Sequence, residues 1–340
     1  MTINSTHLLD SLTRLSKTKK KSKDLAIYIT NYGMKEHKFL FNGIKENISH
    51  YIAFIEVAEL NDLKQILADL ESLNDDAKAK YIFFDSNIFK DLISFTELKE
   101  LSKSSECFIY SEVKAWSDSV ISLVSEYHSK RSIKKILVAG KSEISKRIFK
   151  DIVDLGIETY YFSPDSSSKT VIESLCSLYQ TKNVKIIDES ELSKEDYDCI
   201  ISSELKETVF NSKHCKMFFK PCIAIDAGIN NFSSEFIREQ FRIGSELIRI
   251  DNRAALSSYL ISILETEDLV SNVIGKLSYE GMTIVAGGYM GLEDEIIVDN
   301  ISKPTMVIGV ANGDGKVKYP PYSQELKDKI AKVEELIKKK

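Results

Sequence analysis

Between residues 134 and 230, short apolar runs alternate with amphipathic stretches of helix length, and nothing else in the chain narrows its fold as much. Lys135-Ile136-Leu137-Val138-Ala139 stops at Gly140, and a helical pattern follows over residues 142–155. An apolar run returns at 157–162, a helix is expected over about 167–180, and further runs lie at 184–188, 197–201 and 222–226. Runs this short and this apolar suit strands covered on both faces. Their alternation with helices implies parallel strands joined by right-handed crossovers. Five such strands make one doubly wound module.

The same alternation precedes it. Residues 25–30, 51–57, 81–85 and 107–110 read as strands. Helices are expected over 35–47, over 60–73 and over 95–103, the second carrying Leu60, Leu63, Ile66, Leu67, Leu70 and Leu73 at helical spacing. A longer helix over 113–128 leads into the polar linker 129–132. After Asn230 the texture changes. A helix over 252–266 precedes strands at 283–286, 295–298 and 305–310, seven of the chain's 14 glycines fall between Gly281 and Gly315, and a final helix covers 324–340. The expected fold class is α/β, in three parts. Residues 1–128 form a parallel α/β domain for substrate and catalysis, 129–235 a Rossmann-like domain, and 236–340 a returning helix with a small β-rich appendage and the C-terminal helix.

Composition excludes several function classes. A net charge of −5 lacks the basic excess of a nucleic-acid binder. No apolar run approaches the roughly 20 residues that span a bilayer, and residues 1–10 do not form a secretory signal. The basic run of residues 17–23 is a solvated linker or a contact for an acidic partner. The five cysteines have apolar neighbours and no paired spacing, and the five histidines lack metal-ligand spacing, so no metal site is expected. A cytoplasmic protein, assembled as a homodimer or other homo-oligomer and acting on a small molecule rather than a nucleic acid or membrane, is the expectation.

In a doubly wound sheet the first strand–turn–helix binds phosphate, because helix N-terminal N–H groups and the helix dipole face the anion. Dinucleotide sites carry Gly-x-Gly-x-x-Gly there. Here the turn reads Gly140-Lys141-Ser142-Glu143-Ile144-Ser145, with the first glycine alone. Lys141 offers a cation and Ser142 a hydroxyl. After the second strand, Asp165 stands where an acid contacts an adenosine ribose, or starts a helix.

Val138-Ala139-Gly140-Lys141-Ser142-Glu143-Ile144 resembles the Gly-Arg-Ser-x-x-Val signature of methylene-tetrahydrofolate dehydrogenase/cyclohydrolases. Lys220-Pro221-Cys222-Ile223-Ala224-Ile225-Asp226-Ala227-Gly228-Ile229-Asn230 resembles that family's Lys-Pro-Gly-x-x-Val-Ile-Asp-Val-Gly-Ile-Asn. The layout is similar too, and shikimate dehydrogenases and the pyrrolysine-pathway dehydrogenase share it. The likeness covers about residues 110–265. It implies NAD or NADP along Gly140, Lys141, Ser142, Glu143 and Ile144, with Asp165, Asp226, Gly228 and Asn230. It does not extend to folate: no Tyr-x-x-x-Lys pair is expected in the first domain, no Pro-Gly-Gly-Val-Gly-Pro follows Asn230, and the β appendage has no counterpart.

Candidate chemistry lies elsewhere as well. Glu112 and Lys114, just past the fourth strand, are acid/base groups if burial brings a pKa near neutrality, or solvated residues behind a capping Ser111. Arg249 and Arg253 clamp a substrate carboxylate or form surface ion pairs. Glu293, Asp294 and Glu295 hold a divalent ion or form an acidic hairpin. The function expected is an NAD(P)-dependent oxidoreductase acting on a small carboxylate- or amine-bearing metabolite in an interdomain cleft. The alternatives are a non-catalytic nucleotide- or metabolite-binding protein, or another two-Rossmann enzyme such as a glycosyl transferase.

Overall fold

The computed structural model describes residues 5–18, 23–30, 39–46, 50–91, 93–163, 165–179, 183–204, 207–251 and 253–339. The chain divides into two compact units, Met1–Ser257 and Ser258–Lys340. Both are α/β, and the first contains two sheets covered by helices, one parallel except for an edge strand and one wholly parallel.

The first sheet opens the chain. After α1 (Ser5–Thr18) come β1 (Asp24–Thr30), β2 (Phe39–Glu46), β3 (His50–Val57), α2 (Leu60–Glu71), β4 (Tyr81–Asp85), α3 (Ser86–Asp91), α4 (Phe95–Leu101), β5 (Glu106–Tyr110) and α5 (Glu112–Arg131). The strand order is β2-β3-β1-β4-β5. β1 lies between two parallel partners, and residues 25–30 are all buried. One face packs Leu25, Ile27 and Ile29 against Leu63, Ile66, Leu67 and Leu70 of α2 and Leu8 and Leu12 of α1. On the other face Phe83 stacks on Tyr28 at 4.4 Å and on Phe108 at 5.3 Å.

The helix expected over 35–47 is corrected: residues 39–46 are β2, an antiparallel edge strand on β3, and residues 35–38 lie outside the described residues. Phe39, Phe41 and Ile44 suit a strand. The register shifts between Phe41 and Ile44, where Gly43 takes φ +81°. That extra residue moves Ile44 out of strict alternation and leaves an apolar spacing that also reads as helical.

α5 carries the chain into the second sheet, whose core takes in Val120 and Val124. There follow β6 (Lys135–Ala139), α6 (Glu143–Asp154), β7 (Glu158–Phe162), α7 (Ser166–Tyr179), β8 (Val184–Ile187), β9 (Cys199–Ser202), β10 (Ile223–Asp226), α8 (Ser234–Arg242) and β11 (Glu246–Arg249). All the pairings are parallel, in the order β11-β10-β9-β6-β7-β8. The sheet has six strands rather than five, because β11 pairs along β10 through residues 246–249. Numbered from β6, this is the 3-2-1-4-5-6 order of dinucleotide-binding sheets, with the reversal of winding between β6 and β9.

α9 (Arg253–Asp268) crosses into the second unit. That unit holds β12 (Gly275–Tyr279), β13 (Met282–Ala286), β14 (Ile296–Val298), β15 (Val307–Ala311), β16 (Val317–Lys318) and α10 (Gln324–Lys339). The strands pair in sequence order. β12 and β16 join the three strands expected here. Glu280 and Gly281, at φ +47° and +75°, make a two-residue hairpin turn between β12 and β13. Leu326 and Val333 of α10 close the core over Met282, Ile284, Ile296 and Val310. The acidic hairpin is ion-paired, Glu293 and Asp294 to Lys318 and Glu295 to Lys276.

Removing the ring between Tyr28 and Phe108 tests the first core. Phe83→Ala is expected to destabilise the chain by about 3–5 kcal/mol, read as a lower urea midpoint of Trp116 fluorescence. A loss under about 1 kcal/mol would contradict this packing.

Candidate functional site

Parallel strands place all their C-terminal ends, and the N-termini of the helices that follow, at one edge of the sheet. Polar groups gather at that edge in both sheets of the first unit.

In the second sheet the β6–α6 turn is the centre. Gly140 takes φ +145° and is buried. Ser142 caps α6, accepting from the Ser145 N–H at 3.1 Å and donating its hydroxyl to the Ser203 carbonyl at 2.9 Å. The N–H groups of Lys141 and Ser142 point at one oxygen, Glu204 Oε1, at 2.5 and 2.7 Å. Glu204 follows β9 and is 6% exposed. An anion therefore sits where this turn presents its free amides, supplied by the chain itself.

The backbone of Glu204 is held just as firmly. Asn231, fully buried, accepts from the Glu204 N–H at 2.6 Å and from Ser202 Oγ at 2.7 Å, and its Nδ2 donates to the Glu204 carbonyl at 2.6 Å. A Cβ on Gly228 would stand 2.1 Å from that carbonyl oxygen, and one on Gly140 would stand 2.5 Å from Glu204 Oε1. A side chain at either position would therefore press on Glu204.

The other predicted residues separate. Lys141 extends its ammonium to Glu207 at 2.7 Å. Glu143 is exposed and pairs with Lys146, while Ile144 is packed in the core. Asp165 caps α7, its Oδ2 accepting from the Ser168 N–H at 3.0 Å and from Ser167 Oγ; these bonds, Ser167 first, hold its pKa down to about 2. Asp226 accepts from the Gly228 N–H at 3.1 Å and from Arg249 Nη2 at 3.2 Å, so those three are brought together. Asn230 is exposed, with φ +65°. Arg253 opens α9, and its side chain lies outside the described residues. A cavity of about 350 Å³ borders Glu204, with Phe162, Ser163, Lys169, Thr208 and Lys213 in its wall.

At the edge of the first sheet, Thr30, Asp85 and Tyr110 end β1, β4 and β5, and Glu112 begins α5. All four are buried. Asp85 accepts from Thr30 Oγ1 at 3.1 Å, Asn87 Nδ2 at 3.1 Å and the Glu112 N–H at 3.2 Å. Tyr110 donates its hydroxyl to Glu112 Oε2 at 2.8 Å. Burial pushes the Glu112 pKa up to about 8 and the Asp85 charge adds to the rise, against the Tyr110 hydrogen bond. Lys114 pairs with Asp118 at 2.5 Å. A Tyr-x-x-x-Lys spacing is present after all, at Tyr110 and Lys114, which corrects the expectation of none. The described hydrogen bonds send the tyrosine to Glu112 and the lysine to Asp118.

Glu204, Asn231 and Asp85 were not anticipated. Two carry a sequence signal: Asp85 is the last residue of β4 behind an apolar run, and Glu204 stands two residues past the end of β9. Among the described residues, no group of three or more His, Cys, Asp and Glu side chains is placed to hold a metal ion, and no helix is long and apolar enough to cross a membrane. All five cysteines are free.

No family model matches the chain, and no curated protein is similar to it. Among solved structures it is similar to the A chain of dipicolinate synthase from Bacillus subtilis, at 11% identity and a TM-score of 0.34, over 76% of this chain and 93% of that one. It is similar to shikimate dehydrogenase from Mycobacterium tuberculosis at 9% identity and 0.39, over 66% and 87%. For quinate dehydrogenase from Corynebacterium glutamicum, in complex with NAD, the values are 10% and 0.38, over 70% and 99%.

Glu112 makes stability depend on pH. Between its ordinary 4.5 and about 8 the folded chain keeps a proton that the unfolded chain has lost. Stability from this group is complete below pH 4.5 and declines as pH rises towards 8, by up to about 1.4 kcal/mol per pH unit. Glu112→Gln, which keeps an acceptor for Tyr110, is expected to flatten that decline in urea unfolding across the window. An unchanged slope would contradict it.

Proposed function

We propose that the chain is an NAD(P)-dependent oxidoreductase acting on a small carboxylate- or amine-bearing metabolite held between the two sheets of its first unit. The observation that supports this most is the six-stranded parallel order of the second sheet, with a glycine turn on β6 at the switch of winding. The donors at that turn suit the cofactor, since Glu204 shows that they take an oxyanion. The Lys141 and Ser142 amides would face the diphosphate, and the loop from Asp226 through Gly228 to Asn230 would lie beside the nicotinamide end. The bound cofactor supplies hydride transfer, and the protein supplies orientation and a proton.

Glu112 is the proton carrier in this reading. A pKa of about 8 leaves it protonated at neutral pH and able to exchange a proton near there. Asp85, hydrogen-bonded to the Glu112 amide, holds the start of α5 in place. Arg249, mostly exposed and ion-paired with Asp226, would meet a substrate carboxylate at that loop.

A second reading, a non-catalytic nucleotide- or metabolite-binding protein, is favoured by the Glu204 carboxylate resting on the turn. Turnover separates the two. Purified protein is expected to bind NADH or NADPH saturably by reduced-nicotinamide fluorescence, and Gly140→Val to abolish that binding. With a substrate found by screening small acids and amines, Glu112→Gln is expected to remove the limb of the rate profile near pH 8. No binding of either cofactor contradicts the first reading; binding without turnover of any acid or amine supports the second.

A further inference from the structure

The switch point of the second sheet is bridged by a side chain of the chain itself. Glu204 reaches from the end of β9 to the β6–α6 turn and takes both the Lys141 and Ser142 amides on one oxygen. Nothing about this contact is incidental. Asn231 fixes the Glu204 backbone through its N–H and its carbonyl, Gly228 makes room for that carbonyl, and Gly140 makes room for the carboxylate. Ser142 ties the same two segments together through the Ser203 carbonyl.

A diphosphate crossing this switch point requires the same amides. A carboxylate and a phosphate oxygen are both negative and accept without donating, so they cannot share the two N–H groups. The cavity next to Glu204 does not offset the repulsion as it stands. Its cations among the described residues are already paired, Lys141 with Glu207, Lys169 with Asp188 and Lys213 with Glu189.

We propose that Glu204 is an internal competitor for the diphosphate position, so that a dinucleotide binds when this carboxylate leaves the Lys141 and Ser142 amides. The inference rests on the dinucleotide reading above. The rest of the switch point stays in place when it happens, because Asn231 grips the backbone of Glu204 and not its carboxylate. Glu204 thus sets the affinity of the site: the observed constant is weakened by the fraction of molecules whose turn is open. It does so for ligands that carry a diphosphate and not for those that lack one.

Calorimetric titration of NADH, ADP and adenosine into the full chain, Glu204→Gln and Glu204→Ala tests this. In Glu204→Ala, NADH and ADP are expected to bind about tenfold tighter or more, with adenosine unchanged. Glu204→Gln keeps an acceptor but no charge, so it is expected to fall between; it also carries the test if the alanine variant fails to fold. NADH and ADP binding that is equal or weaker in the folded variants, while the unaltered chain binds NADH, overturns the proposal and leaves the dinucleotide reading standing. A gain for adenosine as large as that for ADP overturns it too, since the effect would then not belong to the diphosphate. No binding of NADH or ADP to any of the three proteins removes both the proposal and the reading it rests on.

Discussion

One carboxylate joins three strand ends in the second sheet. Glu204 stands at the end of β9, is bonded to the turn after β6, and is gripped by Asn231 from the loop after β10. In a doubly wound sheet these ends diverge, because helices leave to opposite faces and open a crevice. Here the crevice is bridged from within. Charge-assisted bonds to backbone amides are worth more than neutral ones, and the helix dipole adds to them. Glycine is required at 228, where a Cβ would stand against the Glu204 carbonyl, and at 140 by the positive φ of the turn.

The first sheet repeats the device. Asp85 ends β4 and accepts from the first amide of α5, as Glu204 accepts at the start of α6. In both places an acid at the end of an apolar strand meets a helix N-terminus. The outcome differs with the surroundings. Next to Asp85 a second carboxyl, Glu112, is buried and held towards its protonated form. Next to Glu204 lie paired lysines and a cavity.

Much of this was legible in the sequence where the signal is local. The strands β6, β7, β9 and β10 are short apolar runs ended by turn residues, and residues 60–71 announce α2 by the spacing of their leucines and isoleucines. Gly140 as a turn and Ser142 as a hydroxyl at the helix entry follow from neighbours in the chain; that Ser142 caps α6 comes from the structure. Glu112 could be named but not judged, because its pKa depends on burial and on Asp85. What stayed hidden acts over distance. The Glu204 bond to Ser142 spans 62 residues and its bond with Asn231 spans 27. Position in a motif also misled about direction: Ile144 faces the core and Glu143 the solvent, since a helix distributes consecutive residues around its axis. β2 was misread because its register shift breaks the alternation that marks a strand.

A crystal structure of the chain grown with NADH tests the account most directly. The account predicts a diphosphate oxygen within hydrogen-bond distance of the Lys141 and Ser142 amides, Glu204 turned away from them, and Asn231 still bonded to the Glu204 backbone. A dinucleotide bound elsewhere, or bound with Glu204 still on both amides, would contradict it.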